Sequence, residues 1–257
     1  MLKKYYREQS GNITKFIKKG EVSEESMHEC RIAIKKIRAL FQLLVWRNDE
    51  FDYRNAEKPF RILFQLLGAA REFQVDLKLR NDLGISGDDE NEERRKYHIA
   101  LRELFKKLDK SLIKKIRNRD DQVNAALDQL SKKRLNRYIG HVYVSLVKRL
   151  QAGVENPQKL HSLRKRVKIS YYNFKALPEL EAANKSLTEQ LDGLQRLLGD
   201  WHDLEEMVSK FKEQDGMQNK LVTSQIPGLI AKQNDIVAHI SNSMNEVLAR
   251  QVKPKKL

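Results

Sequence analysis

The sequence predicts an all-α protein, built as two four-helix bundles of long antiparallel helices related by an internal duplication. Three observations lead there. Only 11 Gly and 5 Pro interrupt 257 residues, and between them run Leu, Lys, Glu, Arg, Ala and Gln at helical spacing. No run of alternating β-branched residues stands between turn signals, so no sheet is expected. Two different motifs each occur twice, in the same order and at matched spacing.

Eight helices can be drawn in order. The first runs from about Leu2 to Lys19 and stops at Gly20. Ser23 caps the second, with Glu24 and Glu25 on the positive end of its dipole, and that helix ends near Asn48. The third covers about Asp52 to Arg80, and the fourth runs from near Asn91 to Asn118. Between them Leu83–Asp89, with two glycines, reads as a loop. The fifth covers roughly Asp120 to Ala152. Asn156-Pro157 opens the sixth, pairing a cap residue with proline at the first helical position. Pro178 starts the seventh, which stops near Asp215-Gly216, and the eighth reaches about Gln251. Pro227-Gly228 is expected to kink or split that last helix. Short connections between long helices imply antiparallel neighbours. The halves divide near Asn118, giving 1–118 and 119–257, four helices each.

Composition narrows the function. An apolar fraction of 40% suits a core of ordinary size. No window approaches the roughly 18 apolar residues of a membrane span, so no membrane partner is expected. The start, Met1-Leu2-Lys3-Lys4-Tyr5-Tyr6-Arg7, lacks the apolar stretch of a signal peptide, which points to the cytoplasm. The single cysteine, Cys30, excludes an internal disulfide and reads as a small buried hydrophobe. Against 35 Asp+Glu stand 50 Lys+Arg, a formal net charge of +15. Self-repulsion of that size calls for an anionic partner.

The repeated motifs show where such a partner would sit. His28-Glu29-Cys30-Arg31-Ile32-Ala33-Ile34-Lys35 and His161-Ser162-Leu163-Arg164-Lys165-Arg166-Val167-Lys168 both read H-x-x-R-x-x-x-K. Leu66-Leu67-Gly68-Ala69-Ala70-Arg71-Glu72 and Leu197-Leu198-Gly199-Asp200-Trp201-His202-Asp203 both read L-L-G-x-x-basic-acid. At about 100° per residue, His28, Arg31, Lys35 and Arg38 share an arc of about 80°, and His161, Arg164, Lys168 and Lys175 one of about 60°. Lys36, Lys165 and Arg166 lie off those arcs but add charge nearby. The apolar stripe Ile34, Ile37, Phe41, Leu44 and Val45 is centred roughly 120° away, so the helix buries one face and keeps a basic one beside it. Stacked cations repel one another by a few tenths of a kcal/mol per pair, and their duplication argues for a ligand. Phosphates suit them: arginine offers a planar fork, lysine a mobile charge, and histidine a donor that gains charge below about pH 6.5.

At these residues the chain resembles the CHAD family, the conserved histidine α-helical domain. His28-x-x-Arg31-x-x-x-Lys35-Lys36-Ile37-Arg38 resembles its first signature, and His161-x-Leu163-Arg164-x-x-x-Lys168 its second. The resemblance implies two four-helix bundles with approximate two-fold symmetry, whose basic residues line a central surface or pore. It implies binding of inorganic polyphosphate, and with it association with polyphosphate granules. Some members carry a triphosphate tunnel domain; no E-x-E-x-K segment of that kind occurs here, so the chain resembles a stand-alone module. It departs from the family at Tyr171, where a basic residue is usual, and at Glu72 and Gln74, so those positions are not carried over. The expected polyphosphate-binding residues are therefore His28, Arg31, Lys35, Lys36, Arg38, His161, Arg164, Lys165, Arg166, Lys168 and Lys175.

Other readings weigh less. Nucleic acid is the alternative polyanion, but Trp46, Trp201 and the tyrosines are too few for a stacking platform. His161, His202-Asp203 and Asp235 follow the order of an HD-type metal phosphohydrolase. That set is discounted because the matching dipeptide in the first half, Arg71-Glu72, reads as an ion pair. The acidic run from Asp88 to Glu93 fits no calcium loop, and His98, His141 and His239 have no matched partners. The expectation is a non-catalytic binding module with no cofactor and no metal.

Overall fold

A computed structural model describes residues 1–20, 22–82, 88–154, 156–214 and 220–249. Among them the secondary structure is helical and no strand forms, as the punctuation and periodicity predict. The helices are α1 (Leu2–Lys19), α2 (Glu24–Val45), α3 (Tyr53–Asp82), α4 (Asp88–Lys107), α5 (Lys110–Arg117), α6 (Asp120–Asp128), α7 (Lys132–Gln151), α8 (Pro157–Lys175), α9 (Pro178–Ala183), α10 (Lys185–Gln214) and α11 (Lys220–Ala249).

The expected starts and stops are mostly present. Gly20 ends α1 at φ 61°, a left-handed geometry that suits glycine. Ser23 and Ser26 form a reciprocal capping box at the start of α2. Asn156 caps α8, with Pro157 as its first residue.

Three expected long helices are broken, and polar residues explain the breaks. Asp109 turns its side chain onto the backbone N–H of Leu112 and restarts the chain as α5. Ser131 does the same for Arg134 at the head of α7. Asn184 folds its amide back onto the Leu180 carbonyl, separating α9 from α10. Eleven helices among the described residues therefore replace the expected eight. In the opposite sense, α11 runs through Pro227 without splitting. The ring removes one donor, and packing against α10 continues the helix. Of the expected loop Leu83–Asp89, residues 83–87 lie outside the described set, and Asp88 and Asp89 already belong to α4.

The chain divides into two compact units, the division falling between Tyr138 and Ile139, within α7. In the first, Phe41 is fully buried and stacks edge-on with Phe51 and Phe60 at 5.6 and 5.7 Å. Ile34, Ile37 and Leu44, from the apolar stripe read on α2, are buried with it, as is Cys30. In the second unit α10 packs on α8 and α11, burying Leu163, Val167, Leu194, Leu198, Trp201 and Phe211. No described helix is long and apolar enough to cross a membrane.

Candidate functional site

On α2 the basic stripe is only partly free for a ligand. The Arg31 guanidinium lies 4.4 Å from the centre of the Phe64 ring and donates to the Phe64 carbonyl of α3 at 3.2 Å. Gly68 explains how it reaches there, because a Cβ at that position would stand 3.2 Å from Arg31 Nη1. Arg38 sits 5.4 Å from the same ring, and its Nε lies 2.7 Å from the buried Glu57 carboxylate. That pair links α2 to α3. His28 stays exposed, and its pKa is held below the usual histidine value by partial desolvation and by Lys35, Arg71 and Arg31, with Glu24 opposing. One histidine therefore feels three cations from two helices. Arg71 is also within 3.1 Å of Glu24 of α2.

The matching place in the second unit differs electrostatically. His161 of α8 packs edge-on against Trp201 and His202 of α10, ring centres 5.0 and 5.1 Å apart. Its Nε2 is 3.5 Å from the Glu205 carboxylate. His202 reaches Glu205 with Nδ1 at 3.9 Å and Glu206 with Nε2 at 3.1 Å. Desolvation lowers the His161 pKa while Glu205 works against it. Burial also lowers the pKa of Arg164, opposed by Asp203 and Glu206. The cations of this half thus face three carboxylates on α10. A Cβ at Gly199 would meet nothing within 4 Å, so the close arginine–glycine contact of the first half has no counterpart here.

The family profile for the CHAD domain matches residues 2–209. The chain belongs to the CHAD-domain family. Its solved relatives share the architecture. The crystal structure of the CHAD domain from the plant Ricinus communis aligns over 100% of this chain and 94% of its own, with TM-score 0.70 and 17% identity. PptA from Streptomyces chartreusis aligns over 96% of this chain and 98% of its own, with TM-score 0.71 and 13% identity. At such identities the likeness shows a common fold. No curated protein sequence matches the chain.

The remaining expected residues of this CHAD domain scatter. Lys36 turns away from the α2 stripe and lines a groove of about 440 Å³ with Lys15, Phe16 and Lys19 of α1. Lys175 is paired with Glu181 of α9. Lys165 is exposed; Arg166 and Lys168 are half-buried. Sequence reasoning missed Glu205 and Glu206, although Asp203-Leu204-Glu205-Glu206 follows the second glycine motif directly. It also gave no sign that helix packing sets Arg71 beside His28. Of the discounted hydrolase set, His161 and His202 do meet, joined by Glu205, while Asp203 faces Arg164 and Asp235 is exposed on α11.

Proposed function

We propose that this CHAD domain is a non-catalytic module that binds inorganic polyphosphate through basic helix faces, and that the face formed by α2 and α3 is the stronger one. The observation that supports this most is the convergence of Lys35, Arg71 and Arg31 on an exposed histidine. Such cations repel one another; Glu24 beside Arg71 offsets part of that field, and a phosphate would offset more. A phosphate chain carries one charge per unit and offers every cation an oxygen without demanding a base or a sugar. The resemblance of the His-Arg-Lys signatures to the family's supports the same ligand, and a cytoplasmic protein of this kind would gather at polyphosphate granules.

Competition tests the assignment. With fluorescent duplex DNA bound to the protein, long-chain polyphosphate added at equal charge concentration is expected to displace the DNA. The reverse titration should leave labelled polyphosphate bound. Equal displacement in both directions would mean a general polyanion binder and would reject the assignment. Affinity should fall linearly with the logarithm of salt concentration, as counterion release requires.

A further inference from the structure

A cavity of about 100 Å³ lies within the second unit, where α7, α9, α10 and α11 meet. Tyr143, Leu187 and Val247 give it an apolar wall, and Lys185 and Gln190 of α10 line it too. None of its lining residues belongs to either repeated motif. At about 30 Å³ per water in the liquid, it has space for about three waters, or for an organic molecule of about four to six heavy atoms.

Two donors in its wall are unsatisfied among the described residues. Tyr143 is only 8% exposed, and its hydroxyl has no hydrogen-bond partner there. Desolvation alone raises its pKa, so the phenol is a neutral donor at neutral pH. Gln190 keeps its Nε2 buried and likewise without a partner. Buried donors left unpaired are costly, and a ligand or a water normally satisfies them. The bond from the Thr188 N–H to the Asn184 carbonyl begins the α10 ladder. The N–H groups of Lys185, Ser186 and Leu187 precede it, and they give this end of a 30-residue helix a partial positive charge. Little full charge is added, because Lys185 is exposed and stands 3.9 Å from Glu189.

We infer that this cavity binds a short aliphatic monocarboxylate, of the size of propionate or butyrate, its oxygens held by Tyr143 and Gln190 and its tail against Leu187 and Val247. Two donors on separate side chains match the two oxygens of one carboxylate. The apolar wall suits a hydrocarbon tail, which inorganic phosphate lacks. A helix N-terminus whose nearest cation is already shared offsets one negative charge better than the two of orthophosphate. The site stands independently of polyphosphate binding.

The test titrates the full isotope-labelled chain with sodium butyrate at constant ionic strength, followed by amide chemical shifts. Saturable shifts at Leu187 and at the Gln190 side-chain amide are expected, with Kd in about the millimolar range for so small a ligand. Tyr143→Phe and Gln190→Leu keep the size and lose a donor, and each should weaken binding at least about fivefold. 1-Butanol, with the same tail and no carboxylate, should bind at least about fivefold more weakly than butyrate. If no saturable shift occurs at these residues, water alone fills the cavity and the site is overturned. Unchanged affinity in either variant, or butanol binding as well as butyrate, also overturns it. Orthophosphate displacing butyrate at equal concentration rejects the carboxylate assignment. Circular dichroism checks that each variant folds, and if one does not, the butanol and orthophosphate comparisons on the wild-type protein decide.

Discussion

Arg31 and Arg164 stand at the same position of two similar helices, yet their surroundings differ. Arg31 lies on an aromatic ring with other cations beside it, whereas Arg164 lies among carboxylates. The sequence periodicity placed both arginines on a basic arc but carried no information on what the facing helix presents. The histidines that head the two motifs differ accordingly, and His28 gives a pH prediction. Its folded pKa is depressed below about 6.5, so the unfolded chain binds its proton more readily. That contribution to stability is complete above about pH 6.5 and is lost as pH falls from there through the folded pKa. A phosphate beside His28 reverses the local field and raises the pKa in the complex. Binding then takes up a proton, and affinity should rise as pH drops from roughly 7.5 towards 5.5. His28→Gln is expected to flatten that rise, as measured by titrations in buffers of equal ionic strength. An unchanged slope in the variant would remove His28 from the site.

At the scale of the helices, the two L-L-G motifs look equivalent in sequence and have different packing tasks. Gly68 leaves room for an arginine, whereas Gly199 faces open space in the interior of α10. Glycine inside a helix costs roughly 0.5–1 kcal/mol relative to alanine. Gly199→Ala should therefore raise the unfolding free energy by about that amount in urea titrations. Gly68→Ala should gain less or lose stability, because the new methyl crowds a guanidinium already committed to the Phe64 carbonyl. Equal gains at both positions would show that Arg31 yields freely. The helices themselves were legible from their periodicity, and so were Gly20, Ser23 and Asn156 as stops and caps. The breaks at Asp109, Ser131 and Asn184 were not. Each depends on a short polar side chain turning onto local backbone, and the same residue types also occur inside helices with no break. Ser10, for instance, lies within α1.

For the whole molecule, +15 charges over 257 residues attract any polyanion, so a defined site must be separated from that background. The separation follows from where the acids are. The α2–α3 face gathers Lys35, Arg71 and Arg31 around His28, while the α8–α10 face sets Asp203, Glu205 and Glu206 against its cations. Two stripes that look alike in sequence thus meet different acids: Glu24 and Glu57 pair with Arg71 and Arg38 on the first face, whereas three carboxylates of α10 face the cations of the second. The acids were plain in the sequence, but their relation to α8 depends on how α10 packs against it. A charge-assisted contact contributes about 1.5–3 kcal/mol where it is well made and less where exposed. Lys35→Glu with Arg71→Glu should therefore weaken polyphosphate binding by at least about tenfold, each site losing a contact and gaining a repulsion. Both residues sit outside the buried aromatic core, so the protein should remain folded. Lys165→Glu with Lys168→Glu reverses the same charge on the α8–α10 face and should cost less. Lys133→Glu with Lys232→Glu, exposed residues outside both motifs, sets the background from net charge. The ordering is the prediction, read from affinities at one fixed salt concentration. If the three double variants lose affinity equally, polyphosphate senses only the net charge and the α2–α3 face is no site.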